Sequence, residues 1–277
     1  MLAGARTAYA GGPVTVPLST AATFAVLAGT PSVENTGPTV VTGNLGIHPA
    51  AAVNGFTGPP NGTVIGTIHA GNAVALQAQT DLTAAYVDAA GRPDDPVACD
   101  LVGLTLVAGV YDPGDCTLGL TGILQLDGQN DPNSVWIFQA PSDLVTASAS
   151  SVVFINGGSP CNVFWQVSSS ATLGSGSTFV GTILALTSIT IANGVNVNGR
   201  ALARNGTVTM INDVIGSSTC PGAGPLPSAA PSVPSAAFSP ENEAVSPWSL
   251  FLVLGGVAAL FISLMVTVRR LTARQGI

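Results

Sequence analysis

The chain has 277 residues, of which 8% are charged, against about 25% in an average soluble protein. It contains no lysine and has a formal charge of −7, so it offers no basic surface for phosphate contacts, which excludes a nucleic-acid partner. The 33 glycines and the abundance of Ala, Val, Thr, Ser and Asn favour repetitive β-structure.

The N-terminus, MLAGARTAYA, ends in an A-x-A pattern at Ala8 and Ala10 without an apolar segment before it. We expect residues 1–17 to be the remnant of a signal peptide or a polar N-terminal tail.

The segment from 71 to 91 interrupts the β-pattern and predicts a helix over about 72–90, ended by Gly91 and Pro93. The side chains expected to form its buried face are Val74, Ala78, Leu82, Ala85 and Ala89. About 18 helical residues span about 27 Å, enough to lie along a β-solenoid. One helix flanked by β-segments indicates a single domain over residues 18–220.

Four cysteines, Cys99, Cys116, Cys161 and Cys220, lack the close spacing of a zinc or redox motif. Disulfides are the expected state, and three pairings are possible. Proximity favours Cys99 with Cys116 and Cys161 with Cys220, which would place the protein in an oxidising compartment. No metal or cofactor motif is present in the sequence, and none is expected to bind.

A short repeat lies in the second half of the chain, where GTILA at 181–185 recurs as GRALA at 199–203. Eighteen residues wound into a three-sided coil give about six residues per side, each a short strand with its corner. This period predicts a β-helix.

Three strands of this region share one alternation of apolar and hydroxyl side chains. The outward positions predicted to form two rows across the strands are Ser170, Thr172, Ser188, Thr190, Thr207 and Thr209. An earlier strand has Asp143 and Val145 at the equivalent positions, so we expect that end of the surface to be less regular.

The C-terminal part reads as a membrane anchor. Residues 221–247 are rich in Pro, Ser and Ala and predict an extended stalk. Residues 248–268 form an uncharged apolar run, long enough for one transmembrane helix. Arg269, Arg270 and Arg274 follow it, so residues 269–277 are expected to be a cytoplasmic tail and the body to lie at the cell surface.

Five stretches of the body closely resemble the bacterial and fungal secreted ice-binding family. They are VTGNLGIHPAAAVNGF (41–56), LTLVAGVYDPG (104–114), LDGQNDPNSVWIFQ (126–139), CNVFWQVSSSATLGSGSTFVGTILA (161–185) and ITIANGVNVNGRALARNGTVTM (189–210). The resemblance covers roughly Leu18 to Ile215.

This resemblance implies a mainly β fold: a right-handed, discontinuous β-solenoid, triangular in section, with one long α-helix packed alongside and rungs out of chain order. It also implies that the protein binds ice through a flat solenoid face of Thr, Ser, Ala and Gly. We expect the protein to be a monomer. Adsorption of that kind inhibits ice growth and recrystallisation without an enzymatic reaction, and a membrane anchor would tether the cell to ice.

Two alternatives remain open from the residues alone. An adhesin for carbohydrate or other cells should expose aromatic side chains, whereas Trp136 and Trp165 lie in apolar segments and indicate core or corner positions. A polysaccharide-active enzyme needs a carboxylate pair. Asp127 and Asp131 are the nearest candidates, but their glycine-rich context is typical of turns, and His48 and His69 have no evident catalytic partners.

Overall fold

A computed structural model describes residues 12–216 of the chain. Most of the predicted N-terminal tail, Cys220, the stalk at 221–247, the apolar segment at 248–268 and the tail at 269–277 lie outside these residues. Within residues 12–216, no helix is both long and apolar enough to cross a membrane.

Short β-strands make up most of the described structure, with one α-helix, α1 (Ala73–Ala90), and 3-10 helices at Ser19–Thr23 and Pro160–Asn162. The strands in chain order are β1 (Phe24–Ala28), β2 (Ser32–Thr36), β3 (Val40–Thr42), β4 (Asn44–Ile47), β5 (Ala52–Val53), β6 (Thr63–Ile65), β7 (Ile68–Ala70), β8 (Asp95–Pro96), β9 (Thr105–Leu106), β10 (Gly109–Asp112), β11 (Leu118–Leu120), β12 (Ile123–Asp127), β13 (Trp136–Ala140), β14 (Leu144–Thr146), β15 (Ser151–Ile155), β16 (Val163–Val167), β17 (Ala171–Leu173), β18 (Thr178–Ala185), β19 (Ile189–Ile191), β20 (Asn196–Ala203), β21 (Val208–Ile211) and β22 (Val214–Gly216).

The strands form a three-sided coil of parallel sheets. One side is a seven-stranded sheet in the order β11-β14-β17-β19-β21-β2-β5, and we call its outward surface the front face. The long strand β18 joins the other two sides, because Thr178 pairs with Ser151 of β15 whereas Thr182 pairs with Phe164 of β16. We call the side containing β13 and β16 the helix side and the side containing β12 and β15 the rear side.

The rungs do not follow chain order, as the family resemblance implied. Strand β21, near the end of the described chain, pairs with β2, near its start, with Val208 opposite Val33. Strand β1 likewise lies between β20 and β4, with Val26 opposite both Ala201 and Leu45. The N-terminal strands therefore extend each sheet beyond the last rungs of the second half.

The pairing of β18 with β20 confirms the 18-residue repeat, because Gly181 lies opposite Gly199 and the two strands pair over their full length. Aromatic rings stack along the inside, with 4.1 Å between the centroids of Phe138 and Trp165. Trp136 and Trp165 are fully buried, as predicted.

One predicted disulfide is confirmed by the structure. Cys99 and Cys116 are bonded, with 5.9 Å between their Cα atoms. The second expected bridge, Cys161 with Cys220, involves a residue outside the described range and stays a prediction.

Helix α1 begins and ends where the sequence indicated. The side chain of Asn72 caps it by accepting a hydrogen bond from the backbone N–H of Ala75, and Gly91 is its C-cap. The prediction for Val74 is wrong, since this side chain is 49% exposed. The buried stripe runs instead through Ala75, Ala78, Gln79, Leu82, Ala85, Tyr86 and Ala89. Val74 lies one residue, and so about 100° of helix rotation, away from Ala75.

Two glutamine side chains fix α1 to the solenoid. Nε2 of Gln79, on the helix, donates to the backbone carbonyls of Ala28 (2.7 Å) and Ala203 (3.1 Å). Nε2 of Gln139, on β13, donates to the carbonyl of Ala89 (2.7 Å) at the last turn of the helix. The helix therefore covers its side of the coil and leaves the front face open.

Candidate functional site

The front face has a continuous row of outward-facing positions at the middle of its strands. In spatial order this central row is Gly119, Val145, Thr172, Thr190, Thr209 and Glu34. Each member lies directly opposite the next one in the parallel register. Adjacent members are therefore separated by about 4.8 Å, the spacing of hydrogen-bonded strands.

The predicted alternation of inward and outward side chains holds in these strands. Ala171, Leu173, Ile189, Ile191 and Val208 are fully buried. Thr172 and Thr190 between them are exposed, and Thr209 is partly exposed. Packing of the inward residues thus fixes the direction in which each threonine points.

A second row lies two residues earlier along the same strands, about 6.6 Å from the first. This edge row consists of Asp143, Ser170, Ser188 and Thr207. Each of the first three accepts, through its side-chain oxygen, a hydrogen bond from the backbone N–H of the next member. The N–H of Ser170 donates to Oδ1 of Asp143 (2.9 Å), that of Ser188 to Oγ of Ser170 (3.4 Å), and that of Thr207 to Oγ of Ser188 (3.2 Å).

This ladder divides the six predicted site residues into two kinds. The hydroxyls of Ser170 and Ser188 are engaged within the protein, and Ser170 also shares a hydrogen bond of 2.6 Å with Thr187. Within residues 12–216, the hydroxyls of Thr172, Thr190, Thr207 and Thr209 have no protein partner. These four threonine hydroxyls are free to bind water, whereas the side chains of Ser170 and Ser188 are held in place.

Both ends of the central row depart from the hydroxyl pattern. Val145, as expected from the sequence, occupies the position next to Thr172 and is 44% exposed. At the other end Glu34 lies opposite Thr209, and its Oε1 accepts a hydrogen bond from Nδ2 of Asn54 (2.8 Å). Sequence reasoning missed Glu34 because nothing local indicates that β2 pairs with β21.

Arg200 and Arg204 lie away from the front face. Arg200 is buried on the helix side, where its Nε donates to the carbonyl of Ala22 (3.0 Å), and burial lowers its pKa. Arg204 lies 4.7 Å from the ring centroid of Tyr86 on α1. Neither of these two arginines therefore interrupts the rows of hydroxyls.

The carboxylates and the histidine that a polysaccharide-active enzyme could use make structural contacts instead. Oδ1 of Asp127 accepts from the N–H of Gln129, and Oδ1 of Asp131 from the N–H of Asn133, so both carboxylates stabilise turns. His69 contacts Phe24 and Asn72. Residues 12–216 contain no cluster of His, Cys, Asp and Glu suited to a metal ion.

Comparison with known sequences gives one consistent result. The family described as ice-binding-like matches residues 26–216. An ice-binding protein of Nostoc sp. (strain HG1) is 51% identical over 196 residues, which cover 70% of this chain and 71% of that protein.

Solved structures agree with the sequences. An ice binding protein from an Antarctic biological consortium matches with a TM-score of 0.69 and 39% identity, over 78% of this chain and 95% of that one. An ice-binding protein from the Antarctic ascomycete Antarctomyces psychrotrophicus matches with a TM-score of 0.70 and 34% identity, over 75% of this chain and all of that one.

Proposed function

The chain belongs to the ice-binding-like family, and from that premise we propose that it binds ice through the front face. The observation that carries this proposal is the central row, in which Thr172, Thr190 and Thr209 occupy three successive strands in direct register. With the edge row beside them, they form a regular grid of hydroxyls and methyls on a flat sheet.

A rigid grid suits adsorption to a crystal. Each flexible side chain that becomes fixed on binding costs about 0.5–1.5 kcal/mol. Threonine is restricted at χ1 before binding, and the hydrogen bonds of Ser170 and Ser188 hold the edge row. Water held on such a surface can adopt the spacing of an ice plane and merge with it.

The other two sides of the coil suit this role less well. Helix α1 covers one of them, with Leu82 and Ala85 fully buried against the sheet. On the rear side, a column of paired outward residues changes chemistry from strand to strand: Ile123, Ser151, Thr178, Asn196, Val214, Val40 and Thr63. Such a column provides no repeated array of hydroxyls.

Adsorbed molecules would inhibit ice growth by pinning the crystal surface. Ice that advances between pinned points has to curve, and a curved front is stable only at a lower temperature. The same adsorption would slow the growth of large crystals from small ones. All the groups of the grid belong to one chain, so a monomer suffices.

A bulky substitution in the central row tests the face. Thr190→Tyr should abolish most of the thermal hysteresis and recrystallisation inhibition, because the ring projects above the exposed position between Thr172 and Thr209. Circular dichroism and the melting temperature should stay unchanged, since Thr190 contributes nothing to the core.

The matched control is Thr178→Tyr, at an exposed strand position on the rear side. It should retain full activity. Equal loss in both variants, or full activity of a folded Thr190→Tyr protein, would place ice binding on another surface.

The cellular location is a separate part of the proposal. The uncharged run at 248–268 and the three arginines after it support an anchor that holds the ice-binding body outside the cell. Full-length protein should remain in the membrane pellet after a carbonate wash and be released by detergent. Protein truncated before Trp248 should be soluble, and recovery of both forms in the soluble fraction would exclude the anchor.

A further inference from the structure

The N-terminal strand β2 continues the front face beyond Thr209. Its Val33 is fully buried, and Glu34 and Thr36 point outward, with Glu34 partly exposed and Thr36 exposed; Ser32 is buried. An exposed hydroxyl, that of Thr36, thus lies on one side of the middle position. The middle position, where the three preceding strands have threonine, is a glutamate directly opposite Thr209.

Within residues 12–216, no positively charged side chain neutralises this carboxylate. Glu34 is partly exposed, and its side chain accepts a hydrogen bond from a neutral group, Nδ2 of Asn54, which donates to Oε1 over 2.8 Å. No cationic side chain in residues 12–216 forms a salt bridge with Glu34; the pair found in that range is Arg92 with Asp88. The carboxylate therefore depends on water for most of its solvation.

Ice is a poor replacement for that water. Removing an ionised carboxylate from liquid water is far more costly than removing a hydroxyl, because the lattice cannot reorient its molecules around the charge. An ice plane that rests on Thr172, Thr190 and Thr209 would meet this penalty at the next strand. The energetically preferred contact ends before it.

Building on the proposed function, we propose that Glu34 is the residue that sets the limit of the ice-contacting patch. It confines contact to the three threonine strands and their edge row, although Thr36 on the same strand offers a further exposed hydroxyl. The width of the central contact across these strands is then about 10 Å, the distance spanned by three strands. Glu34 acts as a boundary residue and makes no contact with ice itself.

The test is a gain of activity. Glu34→Thr places a fourth threonine in register with Thr209, so severalfold less protein should suppress recrystallisation, and thermal hysteresis at equal concentration should increase. Glu34→Gln removes the charge and keeps an oxygen for Asn54, so it should give a smaller gain. Glu34→Asp retains the charge and should give none.

Asp94→Thr controls for the change in net charge, since Asp94 is exposed and follows α1 on another part of the surface. It should leave activity at the wild-type level. Unchanged or lower activity in both folded Glu34→Thr and Glu34→Gln proteins would overturn the boundary role. If the wild type itself has no activity, the proposed function fails. If the wild type is active, Thr190→Tyr is inactive and neither Glu34→Thr nor Glu34→Gln gains activity, only the boundary inference fails.

Discussion

Threonine suits the central row because one stiff Cβ carries both a methyl group and a hydroxyl. In Thr172, Thr190 and Thr209 that hydroxyl has no partner within residues 12–216. The buried residues on either side of each threonine fix the direction in which it points. The hydroxyls of the edge-row serines are engaged instead, because each accepts a hydrogen bond from a backbone N–H of the next strand. Chemically similar residues thus have different roles according to position.

The sequence could predict which side chains face outward, because the alternation along a strand is a local property. Ser170 and Thr172 on either side of buried Ala171 are an example. It could not predict the ladder that begins at Asp143. That ladder depends on the distance between a side chain of one strand and a backbone N–H of the next, which the sequence of either strand does not contain.

Asp213 is an acidic residue placed inside the fold, at 1% exposure. Its carboxylate accepts hydrogen bonds from the N–H groups of Val195 (2.8 Å) and Ile211 (2.7 Å) at a corner of the coil. Burial outweighs these bonds and raises its pKa to about 6. The charged form is therefore disfavoured by folding.

This shift predicts a pH dependence of stability. Between pH 3.8, the ordinary pKa of the group, and about pH 6, Asp213 keeps its proton in the folded state and loses it in the unfolded state. The stability that Asp213 contributes therefore falls as the pH rises through this range. Lowering the pH from about 7 to about 5 should raise the melting temperature of the wild type more than that of Asp213→Asn. Identical shifts in the two proteins would contradict the raised pKa.

At the scale of elements, the long strands β18 and β20 bend at the corner between the rear side and the helix side. Gly181, with φ of 110°, and Gly199 lie opposite each other at this corner. A Cβ at Gly199 would lie 1.8 Å from the carbonyl oxygen of Gly181, and one at Gly181 would lie 2.6 Å from that of Val163. Backbone atoms occupy the space, so no side-chain movement can relieve the clash.

Gly199→Ala should therefore lower the free energy of unfolding by more than about 3 kcal/mol, at the upper end for a single substitution. Gly176→Ala is the matched control, because Gly176 has φ of 66° but no atom within 4 Å of the added Cβ. Its cost should be the conformational penalty alone, about 1–2 kcal/mol. Denaturant titration of both proteins checks the order, and equal losses would contradict the steric account.

The elements were predictable to different degrees for a physical reason. The offset of 18 residues between the two glycine-containing motifs indicated neighbouring rungs, and the structure places Gly181 opposite Gly199. Helix α1 was also evident from its composition and its ending at Gly91. Its buried face was displaced by one residue at Val74, because an alanine-rich helix has a weak apolar stripe and tertiary contacts decide its rotation.

At the scale of the whole molecule, the order of the rungs determines what the front face contains. Pairing of β21 with β2 brings Glu34 beside Thr209, and pairing of β2 with β5 brings Ser32 opposite Ala52. Composition and periodicity fix the faces of each strand but not its neighbours. The family resemblance indicated only that the rungs are out of chain order. Which residues lie at the end of the front face could be learned only from the structure.

Direct partitioning into ice is the measurement closest to the central claim. A single crystal is grown slowly in a dilute solution of full-length protein, and the protein in the ice is compared with that in the remaining liquid. The front-face account predicts enrichment in the ice for the wild type and for Thr178→Tyr, and exclusion for Thr190→Tyr. Enrichment of folded Thr190→Tyr, or exclusion of the wild type, would contradict it.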